Sequence, residues 1–595
     1  MELTQFPEPG KHLLRCCGDT FEIRLQSNKP VRGQAFLSTN IGNALLQRQE
    51  TMEWVENRIP PSGQDWANLP MQRIDEYTFK IRLALAEEGH FEAKACVLSE
   101  DESEPLWVRG ENLHINVEPA AYTAANSIYC AFVRQFGINK NREFSELPRG
   151  LNMDEIKAFD ANSFALIPPS GTFRSLIPEL NHIIHRMKCR IIHLLPINPT
   201  PTVYARMGRY GSPYASLDFT AVDPALAEFD RKATPLDQFM ELADAIHREN
   251  AKLFIDIAIN HTGWAAKIHE EHPDWLVRED DGSIHSPGAW GVVWGDLTEL
   301  DHGKLDLWKY LADVFLTWCA RGVDGFRCDA GYMIPENAWK YIIARVRNVF
   351  PETVFLLEGL GGDPAVTENL LDRANMNWAY SELFQNYSRM QIESYLKYAW
   401  QQSSSHGLMV HYAETHDNNR LAAVSHTYAS LRTALAALTS VSGAFGFVNG
   451  VEWYAKEKID VHESSALNWG AACNQTDLIR RLNSILAYHP AFFNDAMKTF
   501  LDSGNSNAVV LSRNSGDYKH NLLILFNLDC ERSAQITWDA SRAPFDEVVL
   551  YDLISQRRIT PCNGGGHIRS LTLPGGGFLC LSNEAEMMQN IQEQE

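Results

Sequence analysis

The sequence predicts an α/β protein: a (β/α)8 TIM barrel carrying antiparallel β-sandwich domains at its N- and C-terminal ends. Three observations carry this expectation. Short apolar strands alternate with amphipathic helical stretches between residues 121 and 495, the pattern of repeated βα units around a parallel sheet. The flanking segments alternate apolar and polar residues between short turns, as strands with one buried face do. A chain of 595 residues also exceeds what a single hydrophobic core accommodates.

The first 120 residues contain FEIRL, EYTFKIRLAL, GHFEAKACVL and ENLHINVEP, separated by polar or Gly-containing turns. They read as an accessory β-sandwich. Eight barrel strands follow within 121–495: IYCAFVRQF from 128, RIIHLLPI from 190, KLFIDIAIN from 252, VDGFRCDA from 323, VFLLEG from 354, MNWAYSELF from 376, LMVHYAETHD from 408 and GAFGFVNG from 443. Between them, Leu236, Phe239, Ala243 and Ile246, and then Trp308, Leu311, Phe315 and Trp318, recur at helical spacing. Each set lays one apolar face on a barrel. The connection from about 263 to 301 is long and rich in Trp, His and charge, which predicts a small lid subdomain. Residues 496–585 return to alternating strands such as NLLILFNLD and EVVLYDL, a terminal β-sandwich, and the polar tail 586–595 is expected to fray.

Composition narrows the function. With 53 basic against 75 acidic side chains the formal charge is -22, which repels nucleic acid and anionic membrane surfaces and suits a neutral ligand. No basic leader or apolar run of near twenty residues is found. The eleven cysteines are scattered without a paired spacing, as thiols kept reduced in a cytoplasm are. Cytoplasmic localisation is the expectation, and Cys16 and Cys17 are read as packing residues.

Four barrel strands end in carboxylates or in a histidine beside one: DIAINH at Asp256–His261, GFRCDA at Gly325–Ala330, LLEG at Leu356–Gly359 and THDN at Thr415–Asn418. Strand ends of a TIM barrel converge on one pocket. Convergent carboxylates suit glycosidic bond cleavage, whose oxocarbenium-like transition state needs an anion on one side and a proton donor on the other.

These four blocks, in this order on the third, fourth, fifth and seventh strands, resemble those of glycoside hydrolase family 13, the α-amylase family. The resemblance spans roughly 128–490 and implies the following roles. Asp329 matches the nucleophile that forms a covalent glycosyl-enzyme, and Arg327, on the same strand face, the arginine that orients it. Glu358 matches the general acid/base, with a pKa raised by its neighbours. Asp417 matches the carboxylate that binds the distorted sugar. His261 and His416 match the histidines of the innermost sugar subsite, and Tyr214, in YGSPYASLDFTAVDP, the tyrosine stacking there. Asp256 is expected to support the site by hydrogen bonds. The stretch from Asn260 to Ser283 resembles maltodextrin-active members and sets Trp264 near the cleft. For Trp290 and Trp294, lid packing and sugar stacking are both open. Asn260 occupies a position that ligates calcium in many amylases, and equally serves to brace its loop; calcium near Asn260 is the one candidate cofactor. His193 is read as a satisfied core histidine.

The resemblance thus implies a retaining enzyme acting on maltodextrin or glycogen-like α-glucosidic bonds by double displacement, with an α-glucan as partner. A hydrolase is the leading reading. A 4-α-glucanotransferase or maltosyltransferase is the alternative, since transferases share every catalytic residue and such members carry similar N-terminal domains. The phosphate-using maltosyltransferases replace the seventh-strand histidine, present here as His416, which argues against maltose 1-phosphate as donor. A non-catalytic glucan-binding homologue is the remaining alternative, disfavoured by the complete carboxylate set.

Overall fold

The computed structural model describes residues 1–100, 103–141, 153–162, 167 and 169–593. At its centre eight parallel strands close into a barrel in sequence order. They are β1 (Ser127–Ala131), β2 (Ile191–Leu194), β3 (Lys252–Ala258), β4 (Gly325–Asp329), β5 (Val354–Leu357), β6 (Trp378–Ser381), β7 (Leu408–Tyr412) and β8 (Phe445–Val448). Seven fall within the segments their apolar runs predict, and β1 begins one residue before its own.

The helices form where the sequence supplies both a start signal and an apolar stripe. Helix α1 (Pro235–Arg248) opens with a capping box between Thr234 and Asp237 and has proline in its first turn, satisfying backbone N–H groups that lack partners there. It buries Phe239, Leu242, Ala243 and Ile246, while Leu236 is only half-buried. Helix α2 (Leu305–Ala320) buries Trp308, Leu311, Phe315 and Trp318. Side chains from both helices join the strands in one core that runs through the barrel wall. Helices α3 (Glu336–Arg347), α4 (Pro364–Asp372) and α5 (Arg389–Ser405) continue the outer ring.

The N-terminal strands form two sheets that share a core containing Ile23, Leu25, Leu37, Phe79, Phe91 and Ile115. One pairing departs from the antiparallel expectation: His12–Cys16 runs parallel to Leu113–Glu118. The helix Ala44–Asn57, unforeseen in the sequence, lies against α3, and Tyr341 Oη donates to Glu56 at 2.9 Å. Its sequence has no clear apolar stripe, since only Ala44 and Val55 are buried.

The C-terminal strands make a six-stranded and a three-stranded antiparallel sheet around Val510, Leu523, Leu525, Ile536, Trp538 and Leu573. The tail does not fray as its polar composition suggests. It forms a helix, Ala585–Glu593, with Met587 and Ile591 buried, because two apolar residues four apart lie on one face. All eleven cysteines are free; burial pushes Cys16 up to about 11 and Cys17 up to about 12, so both stay as thiols. Among the described residues no helix is long and apolar enough to cross a membrane.

The tail helix gives a test. Ile591→Ala, at a position 1% exposed, is expected to destabilise the C-terminal unit by about 2 kcal/mol, seen as a lower denaturant midpoint. An unchanged midpoint would mean that the helix does not dock.

Candidate active site

Register builds the site. On β3 and β4, Asp256 pairs with Arg327 and Ala258 with Asp329. On β4 and β5, Cys328 pairs with Leu357, and the Glu358 N–H donates to the Cys328 carbonyl at 3.1 Å. Because residues two apart share a strand face, Arg327 and Asp329 point the same way, and Glu358 comes up beside them from the next strand.

The Arg327 guanidinium, 1% exposed, sits among three carboxylates. Its Nη1 lies 3.0 Å from Asp256 Oδ1 and 2.5 Å from Asp329 Oδ1, and its Nη2 lies 2.8 Å from Glu358 Oε1. The second Glu358 oxygen accepts the Ala330 N–H at 2.9 Å. Ala330 holds a left-handed conformation, φ 45°, which is costly for a residue with a Cβ and is retained where a site needs it. Here it brings the backbone donor after Asp329 to Glu358.

One positive charge faces three groups that each carry a negative charge when ionised. Burial raises all three carboxyl pKa values, with Arg327 pulling against it and the neighbouring carboxylates adding to the rise; Glu358 reaches about 7. The cluster therefore retains protons near neutrality, and Glu358 suits a proton donor.

The third block lies at the mouth. Asp417 is 60% exposed, with His416 Nε2 3.3 Å from its Oδ2. The Thr415–Asn418 turn is closed by Asn418 Oδ1, which accepts from the Thr415 N–H at 3.0 Å and from its hydroxyl at 3.1 Å. Tyr214 Oη lies 3.0 Å from Asp256 Oδ2 and 2.8 Å from His416 Nε2, so the tyrosine links the third- and seventh-strand blocks. Burial pushes His261 down to about 4 and lowers His416, leaving both imidazoles neutral. His261 has two buried ring nitrogens without hydrogen-bond partners in the protein, and its Nε2 is 4.0 Å from Asp329 Oδ2. A buried polar group without a partner is costly, and a sugar hydroxyl beside Asp329 would satisfy it.

Above these residues opens a cleft of about 700 Å³ lined by Tyr214, His261, Asp329, Glu358, His416 and Asp417, among others. The sequence assigned all six. The cleft also takes in Trp290, Trp294, Tyr332, Phe384 and His462. Trp290 is 72% exposed at the turn of a hairpin formed by Gly288–Ala289 and Val292–Val293. Trp294 meets His261 edge-on, with ring centroids 6.1 Å apart. Both tryptophans therefore face the cleft.

Two expectations need correction. Trp264 does not line the cleft; its Nε1 donates to the Gly295 carbonyl at 2.9 Å and its ring packs edge-on against Tyr204 and His269, so it braces the lid. His193 is not a satisfied core histidine. It is fully buried with both ring nitrogens unbonded, and its Nε2 is 3.8 Å from Asp256 Oδ2. As an isolated histidine in an apolar strand, it gave no signal that it lies beneath the carboxylate cluster. Tyr332, Phe384 and His462 were missed for a related reason: they come from connections after the fourth, sixth and eighth strands, and carry no motif.

At Asn260, Nδ2 donates to Met333 Sδ at 3.6 Å and the carbonyl accepts from Leu300 N–H at 3.0 Å. Among the described residues no group of three or more acidic, His or Cys side chains converges there. The contacts seen tie the lid to the barrel.

No family model matches the chain. The alpha-1,4-glucan:maltose-1-phosphate maltosyltransferase of Cereibacter sphaeroides is 25% identical over 428 residues, covering 66% of this chain and 61% of that protein. The chain thus spans about three fifths of that relative's length. Among solved structures, a cyclomaltodextrinase superposes with a TM-score of 0.62 at 14% identity over 96% of this chain and 98% of that one. An α-amylase from Lactobacillus plantarum does so with a TM-score of 0.60 at 20% identity, over 78% and 100% respectively. The barrel and its convergent carboxylates define a member of the glycosidase and transglycosylase class. In fold the chain is similar to these α-amylase-type structures, and in sequence to the maltosyltransferase.

Two predictions follow from this geometry. A Glu358 that acts as proton donor must be protonated, so raising the pH through about 7 is expected to lower kcat/KM; a profile from about pH 5 to about pH 9 that shows no such fall would reject Glu358 as the acid. Gly361 has φ +69°, and a Cβ there would lie 3.0 Å from the Trp290 ring. Gly361→Ala should displace that indole and raise KM for maltoheptaose about tenfold, with a smaller change in kcat.

Proposed function

We propose that the protein is a retaining α-glucan-active enzyme that acts by double displacement and hands the glycosyl group to a sugar hydroxyl, as a glucanotransferase. The observation that carries the reading is the Arg327 fork, which holds Asp329 and Glu358 on one guanidinium. Carboxyls this close suit direct attack by one of them, because an inverting pair stands further apart to admit a water.

In the first step Asp329 Oδ attacks the anomeric carbon while Glu358 gives its proton to the departing glycosidic oxygen. The C–O bond breaks and a glycosyl ester forms on Asp329. In the second step Glu358, now ionised, takes the proton of the acceptor hydroxyl as that oxygen displaces Asp329. Arg327 lowers the cost of the carboxylate charge throughout, and His261, His416 and Asp417 grip the sugar hydroxyls. Asp256 and Tyr214 position Arg327 and His416. Trp290 and Trp294 offer apolar faces to sugar rings.

Hydrolysis uses the same residues, with water as acceptor. Transfer is favoured because the curated relative is named a maltosyltransferase. A neutral glucan is proposed as donor in place of a sugar phosphate. Among the described residues no Lys or Arg lines the cleft, whereas Asp296, Asp329, Glu358 and Asp417 do, and a phosphate dianion would meet that field unfavourably.

The test is product analysis with maltoheptaose, with and without glucose, beside maltose 1-phosphate with a glucan acceptor. Chains longer than seven units from maltoheptaose are expected, with Asp329→Ala slowing turnover at least about 10⁴-fold. Only shorter products, unaffected by acceptor, would make the enzyme a hydrolase. Elongation from maltose 1-phosphate would overturn the choice of donor. Glucan binding without turnover would leave a non-catalytic binding protein.

A further inference from the structure

Away from the cleft, four histidines gather about one carboxylate where the N-terminal sandwich meets the barrel. The strands His12–Cys16, Leu113–Glu118 and Gly89–Ser99 lie side by side, with His114 opposite His12 and Asn116 opposite His90. The barrel contributes Asp372, the last residue of α4, and His406, directly after α5. These positions precede β6 and β7, so they lie at the N-terminal end of the barrel, the end associated with stability.

The ligand atoms are spaced for a metal ion. His12 Nδ1 is 3.1 Å and His406 Nδ1 3.7 Å from Asp372 Oδ1, and the three donor atoms lie within 4.8 Å of one another. Four ligands at about 2.0–2.1 Å around a tetrahedral zinc ion stand about 3.4 Å apart. Both distances bracket that edge. His406 Nδ1 is buried and has no hydrogen-bond partner, and 3.7 Å is too long for a bond to Asp372. It is a donor atom aimed at a shared point with nothing in the protein to satisfy it.

The surrounding contacts resemble the outer shell of a metal centre. Asn116 Nδ2 donates to the His406 carbonyl at 2.6 Å and lies 3.4 Å from Asp372 Oδ1. Asn116 Oδ1 is 2.6 Å from His90 Nδ1, and His90 Nε2 is 3.4 Å from His114 Nδ1, so His90 is already engaged. The His114 ring stacks on His12 at 4.3 Å with the planes 3° apart, fixing the orientation of that imidazole. Partners that orient ligands in this way tune affinity.

We infer that His12, His406 and Asp372 bind a divalent zinc-class ion, with water as the fourth ligand, and that the ion fastens the N-terminal sandwich to the barrel. Two imidazoles and one carboxylate form a borderline donor set that suits zinc or cobalt and disfavours calcium or magnesium. The ion joins elements far apart in sequence, so its effect is on stability and not on turnover.

The test uses the full-length protein stripped with a chelator and titrated with Zn²⁺ by calorimetry, then with Co²⁺ followed by visible absorption. One ion per chain at micromolar or lower Kd is expected, together with the intense visible bands of four-coordinate Co²⁺ and a higher unfolding temperature. His406→Ala removes a nitrogen that makes no hydrogen bond, and His12→Gln keeps a polar side chain beside Asp372; each should weaken zinc binding more than about tenfold while maltoheptaose turnover stays at the wild-type rate. Absence of saturable uptake by the stripped wild-type protein would overturn the proposal. So would uptake and Co²⁺ bands unchanged in both variants, which would locate the ion elsewhere.

Discussion

The Arg327 guanidinium has almost no contact with water and serves Asp256, Asp329 and Glu358 at once. Removing it would strand three acidic groups in a site whose burial already raises their pKa values. Its presence allows a dense carboxylate cluster inside a closed barrel, and its single charge ensures that the cluster is not fully ionised. Proton retention on Glu358 is thus a consequence of burial beside other carboxylates with too little positive charge, while Arg327 pulls against the same rise at Asp329. Asp256 and Tyr214 extend the network to His416, so the third-strand carboxylate acts through arginine and histidine without lining the cleft.

Among the described residues, the groups above this network are neutral or acidic. Burial keeps His261 and His416 as uncharged imidazoles, suited to hydroxyls, and the exposed indole of Trp290 gives the cleft an apolar wall. Neutral donors, carboxylates and flat aromatic faces together suit the uncharged glucan proposed as substrate. The overall acidity of the chain works in the same direction by discouraging polyanions. The loops after β6 and β8 supply Phe384 and His462 to the cleft wall.

The fold divides its work between the two ends of the barrel. Strand C-termini carry the chemistry, whereas the opposite end receives the N-terminal sandwich through the His12, Asp372 and His406 cluster. A junction that is polar and rich in histidine differs from an ordinary apolar domain contact. Its buried donors need partners, and that requirement distinguishes it from a merely wet interface.

The sequence by itself determined the barrel, its eight strands and the carboxylate blocks at the strand ends, because strand and helix periodicities are local and because Arg327 and Asp329 stand two apart on one strand. Asp329, Glu358 and Asp417 were legible as members of one family pattern. Tertiary structure alone decided what surrounds them. Trp264 was assigned to the cleft from its position in a motif, yet its hydrogen bond to Gly295 turns it into the lid. His193 looked like an ordinary core residue, yet barrel closure sets it 3.8 Å from Asp256. The tail helix, the parallel strand pair and the histidine junction were equally hidden, for one physical reason. They depend on contacts between residues tens to hundreds of positions apart, and no local pattern of apolar and polar residues records which distant surfaces meet.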